Sequence, residues 1–228
     1  MPFPPLYPII DFPCFAAQPD PIVAIVRYAE ELIGAGATLI QLRDKSLASA
    51  ATHPNQENPA RRFLSCAREL RRVTWGNGKM PRATLIINDR VDLCLAADAA
   101  GVHLGQDDLS PESARRIFDQ VKDGKTRTIG YSTHNLAQII AADALPIDYI
   151  AIGPVFATGS KANPDPVVGL EGVREARGVT KKPLVAIGGI TRQNCSQVKA
   201  AGADAVAVIS DLLESPAKAV ADFLRVLG

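Results

Sequence analysis

The sequence has little that would suit a nucleic acid, a membrane or a thiolate-bound metal. Its 25 lysines and arginines nearly balance 24 acidic residues, leaving a net charge of +1. That balance excludes the broad basic face that a phosphate backbone or an anionic lipid surface requires. One basic doublet, Lys181-Lys182, is too short to supply it. No apolar run approaches the ~18–20 residues of a membrane span. The four cysteines, Cys14, Cys66, Cys94 and Cys195, are far apart, with no C-x-x-C and no histidine at ligand spacing. A zinc motif and a disulfide framework are therefore not expected, and the thiols are read as free, in a reducing compartment. The opening Met1-Pro2-Phe3-Pro4-Pro5 lacks the basic and apolar regions of a signal peptide, so the expected location is the cytoplasm. Only three histidines are present, His53, His103 and His134. No Ser/His/Asp or Cys/His nucleophilic arrangement is suggested.

What is present is a regular alternation. Apolar residues make up 47% of the 228, enough for a large core. Short apolar runs rich in β-branched residues fall at Leu6–Ile10, Thr38–Leu42, Thr84–Ile87, Val102–Leu104, Arg127–Ile129, Tyr149–Ile152, Leu184–Ile187 and Ala205–Ile209. Several are apolar almost throughout, as parallel strands buried on both faces must be. Amphipathic stretches lie between and after them: Ile22–Ile33, Arg61–Val73, Asp92–Ala97, a helix opened by Ser110-Pro111, Asn135–Ala142, Val173–Arg177, Gln193–Ala201 and Pro216–Leu227. Eight such units in one domain spanning residues 1–228 predict a closed (β/α)8 TIM barrel. A doubly wound open sheet is the alternative on pattern alone. Two polar segments interrupt the rhythm. Ala48–Pro59 falls between strand 2 and its helix, over the expected active face. Thr74–Pro81 falls at the opposite face.

In such a barrel, chemistry sits at the C-terminal ends of the strands. Those ends carry Gln41-Leu42-Arg43-Asp44-Lys45, Asn88-Asp89, Gly105-Gln106-Asp107-Asp108, Gly130-Tyr131-Ser132, Thr158-Gly159-Ser160-Lys161, Gly188-Gly189 and Ile209-Ser210. Arg43, Lys45 and Lys161 are cations on one rim, suited to phosphate oxygens. Asp89 and Asp108 among them suggest Mg²⁺ shared with a substrate phosphate. The competing reading makes both aspartates salt-bridge partners of Arg43 and Lys45. The glycine pair after strand 7, with Ile209-Ser210 after strand 8, is placed to form a backbone cup for a second phosphate. His53 is read as solvated, His103 as a packing or hydrogen-bonding residue near the mouth, and His134 as a helix cap, with a base role as the alternative.

These residues resemble the thiamine phosphate synthase family. Gln41–Lys45 matches its QLRxK motif. Asn88-Asp89-Arg90 with Gly101–Asp108 matches its metal and pyrophosphate region. Asp148–Lys161 matches its DYxxxGPxFxTxTK run, and Ala186–Ile190 with Val208–Ser210 its phosphate cup. The resemblance spans nearly the whole chain, from Leu6 to the last helix. It implies a transferase of thiamine biosynthesis that moves an alkyl group other than methyl. It joins 4-amino-2-methyl-5-hydroxymethylpyrimidine pyrophosphate to a thiazole phosphate, or its carboxylate, with release of pyrophosphate (and CO₂ from the carboxylated form). By the same resemblance Arg43, Lys45, Lys161 and Mg²⁺ on Asp89 and Asp108 hold the pyrophosphate. Gln41, Asn88 and Ser132 complete that site, with Leu42 and Asp44 part of its motif. Thr158, Gly159 and Ser160 face the thiazole, and Gly189, Ile209 and Ser210 bind its phosphate. In this family pyrophosphate departs first, and the thiazole nitrogen traps the resulting pyrimidine methyl cation, so no nucleophile is required. Ser160 stands where the family run has a second threonine, Gly159 is read as loosening that loop, and Ala48–Pro59 is longer than expected. A thiazole tautomerase of the same barrel type and a non-catalytic barrel binding thiamine phosphate are the other functions considered. Small molecules are the expected partners, and a homo-oligomer stays open.

Overall fold

A computed structural model describes residues 2–48, 58–76, 78, 80–159 and 165–228. The chain forms a closed barrel of eight parallel strands in sequence order. They are β1 Leu6–Asp11, β2 Leu39–Arg43, β3 Thr84–Asn88, β4 Gly101–Leu104, β5 Thr128–Thr133, β6 Tyr149–Ile152, β7 Leu184–Ile187 and β8 Ala205–Val208. The helices are α1 Pro21–Gly34, α2 Pro59–Trp75, α3 Val91–Ala96, α4 Pro111–Gln120, α5 Leu136–Asp143, α6 Gly169–Val179, α7 Cys195–Ala200 and α8 Pro216–Leu227. The open-sheet alternative is excluded, because β8 pairs with β1 from Leu6 opposite Val206 to Pro8 opposite Val208.

Burial explains why the strands are so apolar. One buried cluster, including Ile10, Ile40, Leu42, Ile87, Val102, Ile150 and Val206, fills the layer between barrel and helices. A second, with Tyr7, Ile9, Leu39, Ile86, Tyr149, Val185 and Ala207, fills the barrel itself. Alternate residues of each strand thus serve different cores, and both must be apolar. Gly130 belongs to the inner packing. A Cβ there would meet the Tyr149 ring at 2.0 Å, so only glycine leaves room for that tyrosine.

Local signals set the helix starts. Asp20, Asn58 and Ser110 each accept backbone N–H bonds at an N-cap followed by proline at the first helical position. The α5 cap is Asn135, whose side chain accepts from Gln138 N, and not His134 as the sequence suggested. His134 instead donates its backbone N–H to Gln138 Oε1 at 2.7 Å.

Strand ends differ most from expectation. β5 runs to Thr133, and β1 and β2 run to the paired residues Asp11 and Arg43. Backbone pairing continues past the last apolar residue, so several polar groups expected in loops sit on strands. At the other face, Arg82 N bonds Thr74 O at 2.7 Å and Arg71 stacks on Trp75 at 4.4 Å, which brings the chain from α2 back into β3. The Ala48–Pro59 segment, with His53, lies almost wholly outside the described residues. Among those residues no helix is long and apolar enough to cross a membrane.

Candidate active site

A cavity of about 440 Å³ opens at the C-terminal mouth of the barrel. It is lined by Gln41 and Arg43 of β2 and Lys45 just beyond it, by Asn88 at the end of β3 and Asp89 after it, and by Asp108 after β4. Ser132 of β5, Thr158 beyond β6, Gly189 beyond β7 and Ile209-Ser210 beyond β8 complete the ring. Most of the residues singled out from the sequence are thus brought together. Leu42 and Asp44 are not among the lining residues. Leu42 packs in the outer core, and buried Asp44 accepts from Ser46 N and Oγ. Their side chains alternate with those of Gln41, Arg43 and Lys45 and turn away from the cavity. Gly159 is exposed and is not part of the lining, and Ser160 and Lys161 lie outside the described residues.

The charged side of the mouth is paired internally. Arg43 donates to Asp11 at 2.6 Å, and both side chains are largely buried. Lys45 donates to Asp89 at 2.7 Å. The salt-bridge reading of the aspartates is therefore realised at Lys45–Asp89, while Arg43 takes Asp11, a residue the sequence did not single out. Asp108 accepts from the backbone of Gly105 at 2.7 Å.

Asp89 sits in the left-handed region at φ +62°, held by its N–H bond to His103 O at 2.7 Å. Burial pushes its carboxyl up to about 6. Lys45 opposes that shift, and the adjacent Asp108 adds to it. Two neighbouring carboxyl groups that Lys45 only partly compensates form a donor set suited to a hard divalent cation. Asn88 adds a buried amide nitrogen with no partner among the described residues, a donor available to a ligand.

The opposite side is built by glycine. Gly188 and Gly189 have φ of +101° and +62°. A Cβ on Gly188 would lie 2.6 Å from Pro154 Cα, and one on Gly189 2.5 Å from Ala157 O. The pair lets β7 turn back under the loop after β6, where Phe156 N bonds Gly188 O at 3.0 Å. Asn194 Nδ2 braces the turn by donating to Gly189 O at 3.0 Å.

The floor holds a buried chain of polar groups that the sequence did not reveal. Gln41 Nε2 donates to Tyr7 Oη at 2.8 Å, and Tyr7 Oη lies 2.9 Å from Tyr149 Oη. Tyr149 Oη is 2.9 Å from His103 Nδ1, and His103 Nε2 is 2.8 Å from Ser132 Oγ. Burial pushes the His103 imidazole down to about 4, with Lys45 acting in the same direction. A serine next to a histidine invites a nucleophilic reading, but the geometry rejects it. The third group is a tyrosine hydroxyl and not a carboxylate, and an imidazole this acidic is a poor base. His134 also lines the cavity, with Nδ1 at 2.7 Å from Gly153 O.

Known proteins match this chain along most of its length. A family model described as thiamine monophosphate synthase matches residues 14–212. The thiamine-phosphate synthase of Koribacter versatilis is 49% identical over 98% of this chain and 96% of its own. That of Clostridium novyi is 38% identical over 84% of each. The solved structure of thiamine phosphate pyrophosphorylase from Pyrococcus furiosus superposes with a TM-score of 0.76 at 31% identity, covering 98% of this chain and 95% of that one. With a barrel mouth that joins a carboxylate pair to a glycine-built turn, and with this degree of likeness along its length, the chain belongs to the thiamine monophosphate synthase family.

Proposed function

We propose that the chain joins 4-amino-2-methyl-5-hydroxymethylpyrimidine pyrophosphate to 4-methyl-5-(2-phosphoethyl)thiazole, or its 2-carboxylate, to give thiamine phosphate. The observation that carries this reading is the polarity of one cavity, with carboxylates and cations on one side and a glycine turn on the other. The first side suits a pyrophosphate and the second a monophosphate approached by backbone.

The pyrimidine methylene C–O bond breaks with its electron pair passing to the departing pyrophosphate, and the thiazole nitrogen lone pair forms the new C–N bond. The carboxylated thiazole also loses CO₂. The new charge forms on the leaving group, so the chain's task is electrostatic. Arg43, Lys45 and Lys161 hold the departing oxygens. Asp89 and Asp108 would hold Mg²⁺, which when bound supplies further charge compensation for the pyrophosphate. Gln41, Asn88 and Ser132 orient the pyrimidine. Thr158 and Ser160 face the thiazole, and Gly189, Ile209 and Ser210 bind its phosphate. The neutral His103 adds no positive charge next to the developing cation. Alkyl transfer of this kind places the enzyme among transferases of groups other than methyl. Three of its four free thiols are buried, which fits a cytoplasmic setting.

A tautomerase acting on the thiazole phosphate alone has no use for a carboxylate pair, and neither has a barrel that merely binds the product. The test is pyrophosphate release by purified protein given both substrates, with Mg²⁺ and with EDTA. Release that depends on Mg²⁺, with thiamine phosphate formed, supports the reading. A folded protein that releases none refutes it.

A further inference from the structure

We infer that the buried chain Tyr7–Tyr149–His103 fixes the direction of hydrogen bonding across the barrel, so that Ser132 presents its hydroxyl hydrogen, and not a lone pair alone, to the cavity. This rests on the reading that Ser132 faces the pyrimidine pyrophosphate.

Each buried hydroxyl has one hydrogen to place. Gln41 Nε2 can only donate, so Tyr7 Oη accepts from it. Tyr7 is fully buried, and among the described residues its own hydrogen has one recipient, Tyr149 Oη at 2.9 Å. Tyr149 is buried too, and its hydrogen passes on to His103 Nδ1 at 2.9 Å. A neutral imidazole that accepts at Nδ1 carries its proton on Nε2. Nε2–H therefore donates to Ser132 Oγ at 2.8 Å, and the serine hydrogen is left for the cavity. The reverse order gives Tyr7 Oη two incoming hydrogens. Its own O–H is then orphaned inside the barrel, a costly arrangement.

Tyr7, Tyr149 and His103 thus act as positioning residues. They turn Ser132 into a donor that recognises a substrate lone pair, on a ring nitrogen or a phosphate oxygen. At the other end Tyr7 anchors Gln41 by one N–H and leaves the rest of its amide for the cavity. The inner cluster needs all this bulk, which is why Gly130 makes way for the Tyr149 ring.

The experiment is long-range ¹H–¹⁵N correlation on the full chain labelled at histidine, without substrate at neutral pH. His53→Ala and His134→Asn variants identify the His103 signals. The expected result is a protonated Nε2 and an unprotonated Nδ1. The opposite tautomer, or a charged imidazole, overturns the inference. A kinetic arm tests the consequence. His103→Gln keeps an amide donor at the reach of Nε2, whereas His103→Asn does not. We expect the KM for the pyrimidine pyrophosphate to rise about tenfold in His103→Asn and less than threefold in His103→Gln, the effect of one net hydrogen bond. Equal losses in the two variants overturn the donor role. If neither variant folds, the wild-type tautomer decides alone. Absent pyrophosphate release by the wild type would sink the functional reading and leave the tautomer standing. A wrong tautomer with full release would sink only this inference.

Discussion

Two neighbouring groups at the barrel mouth should make stability depend on pH in opposite directions. Burial lowers His103 from an ordinary value of 6.5 to about 4. The unfolded chain then binds more protons than the native one between those values. His103 therefore favours the fold fully above pH 6.5, and that contribution is lost as pH falls toward 4. The gap corresponds to at most ~3 kcal/mol. Asp89 is raised from 3.8 to about 6, again mainly by burial. Here the native state holds the extra proton, so the contribution is full below pH 3.8 and lost as pH rises through 6. Its size is also at most ~3 kcal/mol. The wild type alone should show little net slope from the pair. Urea unfolding in EDTA, followed by the fluorescence of the single Trp75 from pH 4 to 7.5, should separate them when each variant is read as a difference from wild type. Carboxylates distant from both groups cancel in that difference, while any change at Asp108, which touches Asp89, is counted with Asp89. Wild type minus His103→Gln should shrink as pH falls from 6.5 to 4. Wild type minus Asp89→Asn should grow as pH falls from 6 to 4. Slopes of the same sign would refute the assigned environments, because burial must push an imidazole and a carboxyl in opposite directions.

Asp11→Asn should leave Arg43 without its carboxylate, costing ~1–3 kcal/mol of stability. It should also raise the KM for the pyrimidine pyrophosphate more than that for the thiazole phosphate, as steady-state kinetics would show. Gly189→Ala forces a Cβ to within 2.5 Å of Ala157 O at φ +62°. We expect ~2–3 kcal/mol of destabilisation in thermal or urea unfolding, and weakened use of the thiazole phosphate above all. Ser210→Ala should change kcat/KM by less than about threefold, because the backbone is proposed to bind that phosphate. A loss of a hundredfold would assign the role to the hydroxyl.

The barrel was legible because its strands are buried on both faces, which leaves eight apolar runs that no other element resembles. The same double burial hid the floor of the site. When inward and outward positions are both apolar, the alternation that separates them vanishes, and Tyr7 and Tyr149 read as ordinary core inside Leu6–Asp11 and Tyr149–Ile152. Only Gly130 betrayed the space they occupy, and a lone strand glycine carries no such message without its neighbours. Asp11 was hidden differently. It follows the last apolar residue of β1, and its partner Arg43 comes from the adjacent strand, a pairing fixed by register. The rim residues Gln41, Arg43, Lys45, Asn88, Asp89, Asp108 and Ser132 were readable because each lies at or just past the end of an apolar run, where a parallel barrel opens to solvent. Their roles toward one another were not. Lys45 meets Asp89 across two loops, and Asp108 is spent partly on the Gly105 backbone. A sequence shows which strand ends carry charge, but the pairing of those charges depends on distances between strands. Those distances are set by how the inner side chains fill the barrel, so the polar site and the apolar floor beneath it have to be solved together.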